Sequence, residues 1–195
     1  MVPLRGRPLI DWTIDHLQAA GIRTLVANTH YLSETLEPHL TERGVSISHE
    51  PDILETGGGL RAALPMLKRD VVITMNPDCA WFGENPVRAL LKGWQAEMEA
   101  LLMLVPVERA FATASAGDFS LSSGEIERNG PYLYTGLQII RTTRLHEIKD
   151  KAFSLNAYWD LLLASGPVHG VVYKGDWCDI GTPEGLDIAE QRMQT

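Results

Sequence analysis

Apolar positions repeat along this chain with two different periods, that of a helix and that of a strand. Helical and strand-like stretches alternate along the sequence. After Pro8 the apolar residues fall on one helical face as far as Gly21, which predicts an amphipathic helix. The short apolar run 22–28 then predicts a strand. Helical spacing returns at 33–44, 84–98, 153–166 and after Thr182, and 57–67 is predicted to be a loop that runs into a helix. Strand-like runs lie between these segments at 45–50, 70–76, 100–107 and 168–180.

Capping residues indicate where some of these helices begin. Asn85 as N-cap with Pro86 behind it is the clearest helix start, and Thr182 is a second candidate cap. Ser33 is a candidate cap for the helix over 33–44, although Pro38 is unfavourable in a helix interior. The glycines at 57–59 are expected to form a loop that leads into the next helix.

Strands that alternate with helices of this length indicate parallel β-α units with right-handed crossovers. After residue 110 the pattern changes, because Ser-Gly and Asn-Gly turn signals separate short alternating strands. This change predicts antiparallel hairpins over about 111–140. The expected fold is therefore α/β, a single domain over 1–195 with a small antiparallel insertion.

Composition restricts the class of protein. The chain has 195 residues, of which 45% are apolar and 22% charged, the balance of an ordinary globular protein. A net charge of −8 without a lysine or arginine run argues against nucleic acid as a partner, though not against a small phosphorylated substrate. No stretch reaches the ~18 apolar residues of a membrane span, and no signal-peptide core is present. A cytoplasmic protein without a membrane partner is expected.

Three places have residues suited to chemistry. The first is 54–65, where three consecutive glycines would let backbone approach a ligand, with helix amides open to an anion; a flexible turn is the alternative. The second is Asp78, just beyond a buried strand, where a carboxylate can hold Mg²⁺; a simple turn is the alternative. The third is Asp179, at the end of a late strand, with Asp176 as a competing carboxylate and a capping role as the alternative.

Four segments in this order resemble the sugar-1-phosphate nucleotidyltransferases: PLRGRPLIDWTIDHLQAAGI, LETGGGLRAALP, MNPD and GDWCDIGTPEGL. The likeness runs from residue 2 to about residue 192, and is greatest to the branch of N-acetylmuramate-1-phosphate uridylyltransferases and mannose-1-phosphate guanylyltransferases. The resemblance implies a Rossmann-like, mixed and mainly parallel sheet flanked by helices. It also implies transfer of a nucleotide from a nucleoside triphosphate, with UTP favoured, to a sugar 1-phosphate such as N-acetylmuramate 1-phosphate, with release of pyrophosphate.

The same resemblance assigns residues to the site. Asp78 and Asp179 match the aspartates of the family's N-x-D and D-[IV]-G-T motifs, and are expected to be catalytic and to hold Mg²⁺ between two anionic substrates. The residues expected to bind the nucleotide are Glu55, Gly57, Gly58 and Asn76. The residues expected to bind the sugar are Asp118, Thr135, Gly136 and Asn156, with hairpin or helix-surface roles as alternatives.

One part of the family pattern is missing from this sequence. The family's signature G-x-G-x-R-[ML]-x-P-L-T ends in P-K just before the segment that begins here, and MVPLRGRPL resembles the tail of that region. Met1 then matches an interior methionine. The expectation is an N-terminally truncated domain without the first strand and its loop. Such a domain would be impaired in activity, with an open sheet edge through which a homo-oligomer forms.

Other functions stay open at this point. A non-catalytic protein that binds a nucleotide-sugar is favoured by the missing loop and disfavoured by the two retained aspartates. A guanylyltransferase acting on mannose 1-phosphate is the alternative enzyme. A subunit whose open edge is filled by a strand of another chain is a further alternative.

Overall fold

A computed structural model describes residues 1–194. The helices are α1 (Leu9–Ala19), α2 (Ser33–Glu42), α3 (Glu55–Leu67), α4 (Pro86–Gly93), α5 (Leu155–Leu163) and α6 (Pro183–Arg192). The strands are β1 (Pro3–Leu4), β2 (Arg7–Pro8), β3 (Val26–Thr29), β4 (Ser46–His49), β5 (Val71–Met75), β6 (Cys79–Phe82), β7 (Ala100–Pro106), β8 (Ala110–Phe111), β9 (Phe119–Ser122), β10 (Glu125–Arg128), β11 (Tyr132–Arg141), β12 (His169–Val172) and β13 (Asp176–Asp179). None of the helices in this described part is long and apolar enough to cross a bilayer.

The chain forms two compact units, and two of the boundaries between them fall inside the strands β5 and β11. The first unit comprises Met1, 22–72 and 141–166. The second comprises 2–21, 73–140 and the residues from Pro167 onward. Each unit therefore contains segments from distant parts of the sequence.

In the first unit, β3 and β4 pair in parallel, with Thr29 opposite His49, and α2 connects them. The helix α3 contacts both strands and α5. Ser33 does not cap α2; the helix begins after Leu32, which has a left-handed φ of +52°, and no side chain bonds its first amides. Pro38 lies inside α2 as the sequence indicated.

In the second unit, six strands form one sheet in the order β5-β11-β7-β12-β10-β9. Its strand β7 is parallel to β12 and antiparallel to β11, and residues 100–105 are all buried. Another sheet has the order β6-β13-β8, with β13 antiparallel to β6 and parallel to β8. One face of that sheet packs in an apolar cluster that contains Leu4, Leu9, Ala80, Cys178, Ile180 and Ala189.

The predicted mixed α/β fold is confirmed, and β9 and β10 form an antiparallel hairpin within 111–140. Antiparallel pairing also extends beyond that segment, because β7 is antiparallel to β11 and β6 is antiparallel to β13. Parallel pairing occurs between β3 and β4, between β7 and β12, and between β8 and β13.

Some element boundaries differ from the sequence prediction for local reasons. The strand predicted over 22–28 begins only at Val26, and the helix predicted over 84–98 ends at Gly93, because Trp94 is extended. The run 168–180 divides into β12 and β13, which belong to different sheets, because the chain turns where Gly175 packs closely against the Phe82 carbonyl group. The strand β6 has no counterpart among the predicted strands.

Replacing Asn85 by alanine is expected to destabilise the second unit. The Asn85 side chain accepts a hydrogen bond from the Arg88 N–H at 3.0 Å and donates one to the His16 carbonyl oxygen, at the end of α1, at 2.9 Å. Loss of the cap and of the second bond should lower the free energy of unfolding by about 1–3 kcal/mol, measured by urea denaturation. Asn85→Asp keeps the cap and loses only the donor, so its stability should lie between the two. An Asn85→Ala variant as stable as the wild type would contradict this role.

Candidate active site

Asp78 lies in the turn between β5 and β6, beyond the C-terminal end of β5. It is exposed, and its main-chain oxygen accepts a hydrogen bond from the Ile180 N–H at 2.8 Å. This bond extends the β6–β13 ladder, in which Asp179 is opposite Cys79. The turn that contains Asp78 therefore lies beside the end of the strand that contains Asp179.

Asp179 is the last residue of β13 and lies just before α6. Its Oδ1 atom accepts a hydrogen bond from the Gly181 N–H at 2.7 Å, and the Thr182 hydroxyl caps α6 by accepting from the Gly185 N–H at 3.1 Å. The positive end of the helix dipole favours a charged carboxylate at this position. Asp176 lies at the other end of β13 and forms an ion pair with Arg192. Asp179 is therefore the carboxylate that the fold brings to Asp78.

The Cys79 thiol is close enough to both carboxylates to be affected by their charges. Burial raises the pKa of Cys79 to about 12, and the negative charges of Asp78 and Asp179 both contribute to the increase, while the indole N–H groups of Trp177 and Trp81 oppose it. Two carboxylates therefore act on one buried sulfur atom. At neutral pH this cysteine is an uncharged thiol.

The donor set at this position suits Mg²⁺. Mg²⁺ takes oxygen ligands, is commonly held by one or two carboxylates, and keeps several waters. Zinc sites use at least three protein ligands, and residues 1–194 contain no cluster of three histidine, cysteine or acidic side chains that could hold a metal ion. Asp78 and Asp179 are a fitting pair of ligands for magnesium and an insufficient set for zinc.

The turn at Asn76 packs on a bulge in β11. The register of β11 against β7 shifts between Tyr134 and Gln138, and Gly136 within this bulge has a φ of +81°. The Asn76 N–H donates to the Gly136 carbonyl oxygen at 3.0 Å, and a β-carbon on Gly136 would lie 2.7 Å from the β-carbon of Asn76. Two of the predicted site residues are thus in contact, and both the φ angle and the space require glycine at 136.

The side chains of Thr135 and Asp118 form hydrogen bonds to the main chain within the second unit. Thr135 is 1% exposed, and its hydroxyl donates to the Met103 carbonyl oxygen at 2.8 Å. The Asp118 carboxylate accepts from the Tyr134 N–H at 2.9 Å, and the Asp118 N–H donates to the Tyr132 carbonyl oxygen at 2.7 Å. Both residues hold the bulged part of β11 in place. A direct contact of either one with a sugar stays a prediction.

In the first unit, the glycines expected in a loop lie inside the first turns of α3. The helix begins at Glu55, which is exposed and has a φ of +58°. The N–H groups of Gly57 and Gly58 donate to the Phe153 carbonyl oxygen at 2.8 and 3.1 Å. The expectation of a loop with amides open to a ligand is therefore wrong, because a segment of the chain itself occupies those donors.

Close packing explains why these positions are glycine. A β-carbon on Gly58 would lie 2.7 Å from the Lys151 carbonyl oxygen, and one on Gly57 would overlap the Phe153 ring. The start of α5 lies at the same place, since the Leu155 N–H donates to the Thr56 hydroxyl at 2.9 Å. The structure therefore brings Asn156, the next residue of α5, to the first turn of α3.

A buried carboxylate that the sequence patterns did not indicate holds this turn. Glu50 is 7% exposed, and its two oxygens accept hydrogen bonds from the Asn28 side chain at 2.9 Å and from the Leu54 N–H at 3.0 Å. Asn28 also donates to the Gly59 carbonyl oxygen at 3.0 Å. The signal in the sequence is weak, namely an acidic residue at the end of an alternating run and just before a proline.

Comparisons with known proteins agree with this fold. The MobA-like NTP transferase domain matches residues 1–168, a range that includes Asp78 and ends before Asp179. N-acetylmuramate alpha-1-phosphate uridylyltransferase of Caulobacter vibrioides is 33% identical in an alignment of 210 residues, and this alignment covers 99% of this chain and 87% of that protein. Mannose-1-phosphate guanylyltransferase catalytic subunit beta of Danio rerio is 23% identical in an alignment of 202 residues, and this alignment covers 94% of this chain and 55% of that protein.

Solved structures show the same fold at low sequence identity. HddC from Yersinia pseudotuberculosis, in a complex with GMP-PN, matches with a TM-score of 0.80 and 17% identity over 99% of this chain and 88% of that one. UDP-glucose pyrophosphorylase in a complex with UDP-glucose matches with a TM-score of 0.79 and 13% identity, covering 100% of this chain and 89% of that one. The fold is that of nucleotidyltransferases. The chain belongs to the MobA-like NTP transferase domain family.

Replacing Gly58 by alanine is expected to destabilise the first unit. The new methyl group would meet the Lys151 carbonyl oxygen at 2.7 Å, so either α3 or the 151–153 segment must move. Overpacking of this kind should lower the free energy of unfolding by about 1–3 kcal/mol, measured by urea denaturation.

Gly166→Ala is the matched control, because a β-carbon there would meet nothing within 4 Å. This control should leave the free energy of unfolding unchanged or slightly raise it. Equal stability of Gly58→Ala and Gly166→Ala would refute the packing role of Gly58.

Proposed function

We propose that this protein transfers uridine monophosphate from UTP to N-acetylmuramate 1-phosphate or a closely related sugar 1-phosphate, giving a nucleotide-sugar and pyrophosphate. The observation that supports this most directly is the position of Asp78 and Asp179 side by side, at one end of the β6–β13 pair, in a nucleotidyltransferase fold. The 33% identity to the uridylyltransferase favours UTP over GTP, since the guanylyltransferase is 23% identical.

In the proposed reaction, a phosphate oxygen of the sugar 1-phosphate attacks the α-phosphorus of UTP. The bond from the α-phosphorus to the oxygen that bridges to the β-phosphate breaks, and pyrophosphate leaves with that electron pair. Both substrates are anions and the chain has a net charge of −8, so electrostatic repulsion is a main part of the barrier. Asp78 and Asp179 would hold Mg²⁺, which supplies neutralisation of phosphate charge when bound.

The chain itself contributes by fixing the two carboxylates. The Gly181 N–H and the start of α6 orient and stabilise the charged Asp179 side chain. The bond from the Ile180 N–H fixes the main chain of Asp78 beside it. Groups that are held in place before the substrates arrive lose little freedom during the reaction, so this fixation lowers the barrier.

The other predicted site residues have roles of two kinds in this proposal. Glu55 and Asn76 are exposed, so their side chains are proposed to contact the nucleotide. The N–H groups of Gly57 and Gly58 already donate to the Phe153 carbonyl oxygen, so they are not proposed to bind the nucleotide directly. These two glycines are proposed to act by letting the turn at Glu55 pack closely against the segment around Phe153.

The sugar-side residues divide in the same way. Gly136 is buried and packs against Asn76, so it is proposed to act through the shape of the bulge in β11, whereas the exposed Asn156 side chain is proposed to face the sugar. Asp118 and Thr135 are proposed to hold the strand that supports it, since both are hydrogen-bonded to the main chain of the sheet.

The proposal predicts that turnover depends on both carboxylates and on a divalent cation. Asp78→Asn and Asp179→Asn should each lower kcat by about 10²–10³-fold, because each removes a negative charge that holds the metal. The measurement is pyrophosphate release from UTP and N-acetylmuramate 1-phosphate, with thermal unfolding to show that the variants stay folded. Asp187→Asn, on the exposed side of α6, is the matched control and should retain full activity. Chelation with EDTA should abolish release, and added Mg²⁺ should restore it.

A panel of substrates decides between the related functions. UTP, GTP, CTP and dTTP would each be paired with N-acetylmuramate 1-phosphate and mannose 1-phosphate. Preference for GTP with mannose 1-phosphate would replace the proposed substrates by those of the guanylyltransferase. Binding of a UDP-sugar in calorimetry, without turnover of any pair, would indicate the non-catalytic alternative. The expected impairment of this chain stays a prediction, and the same assay measures it.

A further inference from the structure

Arg61, on α3, binds a part of the chain that is distant in the sequence. Its Nη1 atom donates to the Ile148 carbonyl oxygen at 2.7 Å, and its Nη2 atom donates to the carbonyl oxygens of Asp150 and, at 3.1 Å, of Lys151. The guanidinium group also lies over the Phe153 ring, 4.7 Å from the ring centroid. One side chain thus contacts four residues that lie close together along the chain.

These contacts fix the segment 148–153, which has neither helix nor strand. The segment lies between the helical turn Leu145–Glu147 and α5, and its residues 149–152 are exposed. An exposed segment without a regular hydrogen-bond ladder is held by individual contacts, so its stability depends on each of them. The conformation of this segment therefore depends on Arg61.

The position of Arg61 explains why it is not itself a phosphate ligand. An arginine that follows a run of glycines suggests phosphate binding, because a guanidinium group matches a phosphate well. Arg61 lies three and four residues after Gly58 and Gly57, on the face of α3 that packs against 148–153. Three of its five N–H groups donate to the main chain there. Arg61 is therefore used within the protein.

Phe153 connects this segment to the turn at Glu55. The Phe153 N–H donates to the Leu54 carbonyl oxygen at 3.1 Å, and the Phe153 carbonyl oxygen accepts from the Gly57 N–H at 2.8 Å. The chain on both sides of Glu55 is thus bonded to one residue. Glu55 has a φ of +58°, a conformation that a residue with a side chain keeps only where surrounding contacts hold it. A continuous set of contacts runs from Arg61 through Phe153 to Glu55 within the first unit.

We propose that Arg61 is a positioning residue for the nucleotide: by fixing 148–153, it holds the turn at Glu55 in the conformation that binds UTP. The inference rests on the proposed function, in which the exposed Glu55 side chain contacts the nucleotide. Asp78 and Asp179 belong to the second unit, and no contact in this set involves them. Loss of Arg61 should therefore affect binding of UTP and not the chemical step.

The test is Arg61→Lys, which keeps the positive charge and loses the planar group that bonds several carbonyls and stacks on a ring. With UTP and N-acetylmuramate 1-phosphate as substrates, KM for UTP should rise about three- to tenfold, because the turn at Glu55 must then be ordered during binding. The kcat and the KM for the sugar 1-phosphate should stay within about twofold of the wild type. The matched control is Arg69→Lys, at an exposed arginine just after α3, which should change none of these constants.

The split between KM and kcat separates positioning from a loss of stability. A variant that is only less stable has a smaller folded fraction, so its apparent kcat falls while its KM for UTP stays the same. Hydrogen exchange gives a second readout that needs no activity. The amides of Gly57 and Gly58 bond to the Phe153 carbonyl oxygen, so Arg61→Lys should speed their exchange at least about fivefold. The Val45 amide, which bonds to the Leu40 carbonyl oxygen, should keep its rate.

Three results would overturn the inference: no rise in KM for UTP, an equal rise in KM for the sugar 1-phosphate, or unchanged exchange at both glycines. Failure of the proposed function is distinguishable, since it would appear as absence of turnover in the wild type with every substrate pair. In that case calorimetry with UTP and Mg²⁺ decides about Arg61. Weaker binding by Arg61→Lys than by the wild type supports the inference, and equal binding, or none by the wild type, refutes it.

Discussion

The antiparallel pairing of β6 with β13 is the interaction on which the candidate site depends. Its register sets Asp179 opposite Cys79 and brings the turn at Asp78 beside it. On the opposite face of the same pair, Ala80 and Cys178 pack in the apolar cluster. A slip of one residue would exchange the two faces and put Asp179 into that cluster. The hydrophobic core therefore fixes the register, and the register brings the two carboxylates together.

The parts of the fold that the sequence predicts well are those that a few adjacent residues determine. Asn85 with Pro86 and Thr182 with Pro183 start helices because the cap and the fixed proline φ act locally. The strand before Asp78 is predictable for a similar reason, since β5 is apolar except for Thr74. The strand β6 is different, because its four residues become a strand only through pairing with β13. The choice between Asp176 and Asp179 likewise depends on a partner, Arg192 on α6.

The glycines at 57–59 show why site chemistry is harder to predict than element boundaries. A run of small residues indicates that something must approach the backbone closely, but it does not indicate what approaches. Here the neighbours are the Phe153 carbonyl group and the main chain at Lys151, both distant in the sequence. Thr135 gives the same lesson, since a hydroxyl suited to a sugar is used within the sheet. A sequence motif therefore identifies a position whose side chain or backbone makes a specific contact. Only the tertiary structure shows which group forms that contact.

The difference between Asp176 and Asp179 explains why only one of two carboxylates on a short strand is suited to a metal ion. Arg192 already neutralises Asp176, so a cation would have to displace the arginine before binding there. Asp78 and Asp179 form no ion pair within residues 1–194, and Asp179 is held by a backbone N–H that stabilises its charge without cancelling it. Two unneutralised carboxylates close together repel each other, and a divalent cation relieves that repulsion. The two carboxylates therefore favour binding of a cation. The two anionic substrates of the proposed reaction would need positive charge at the same position.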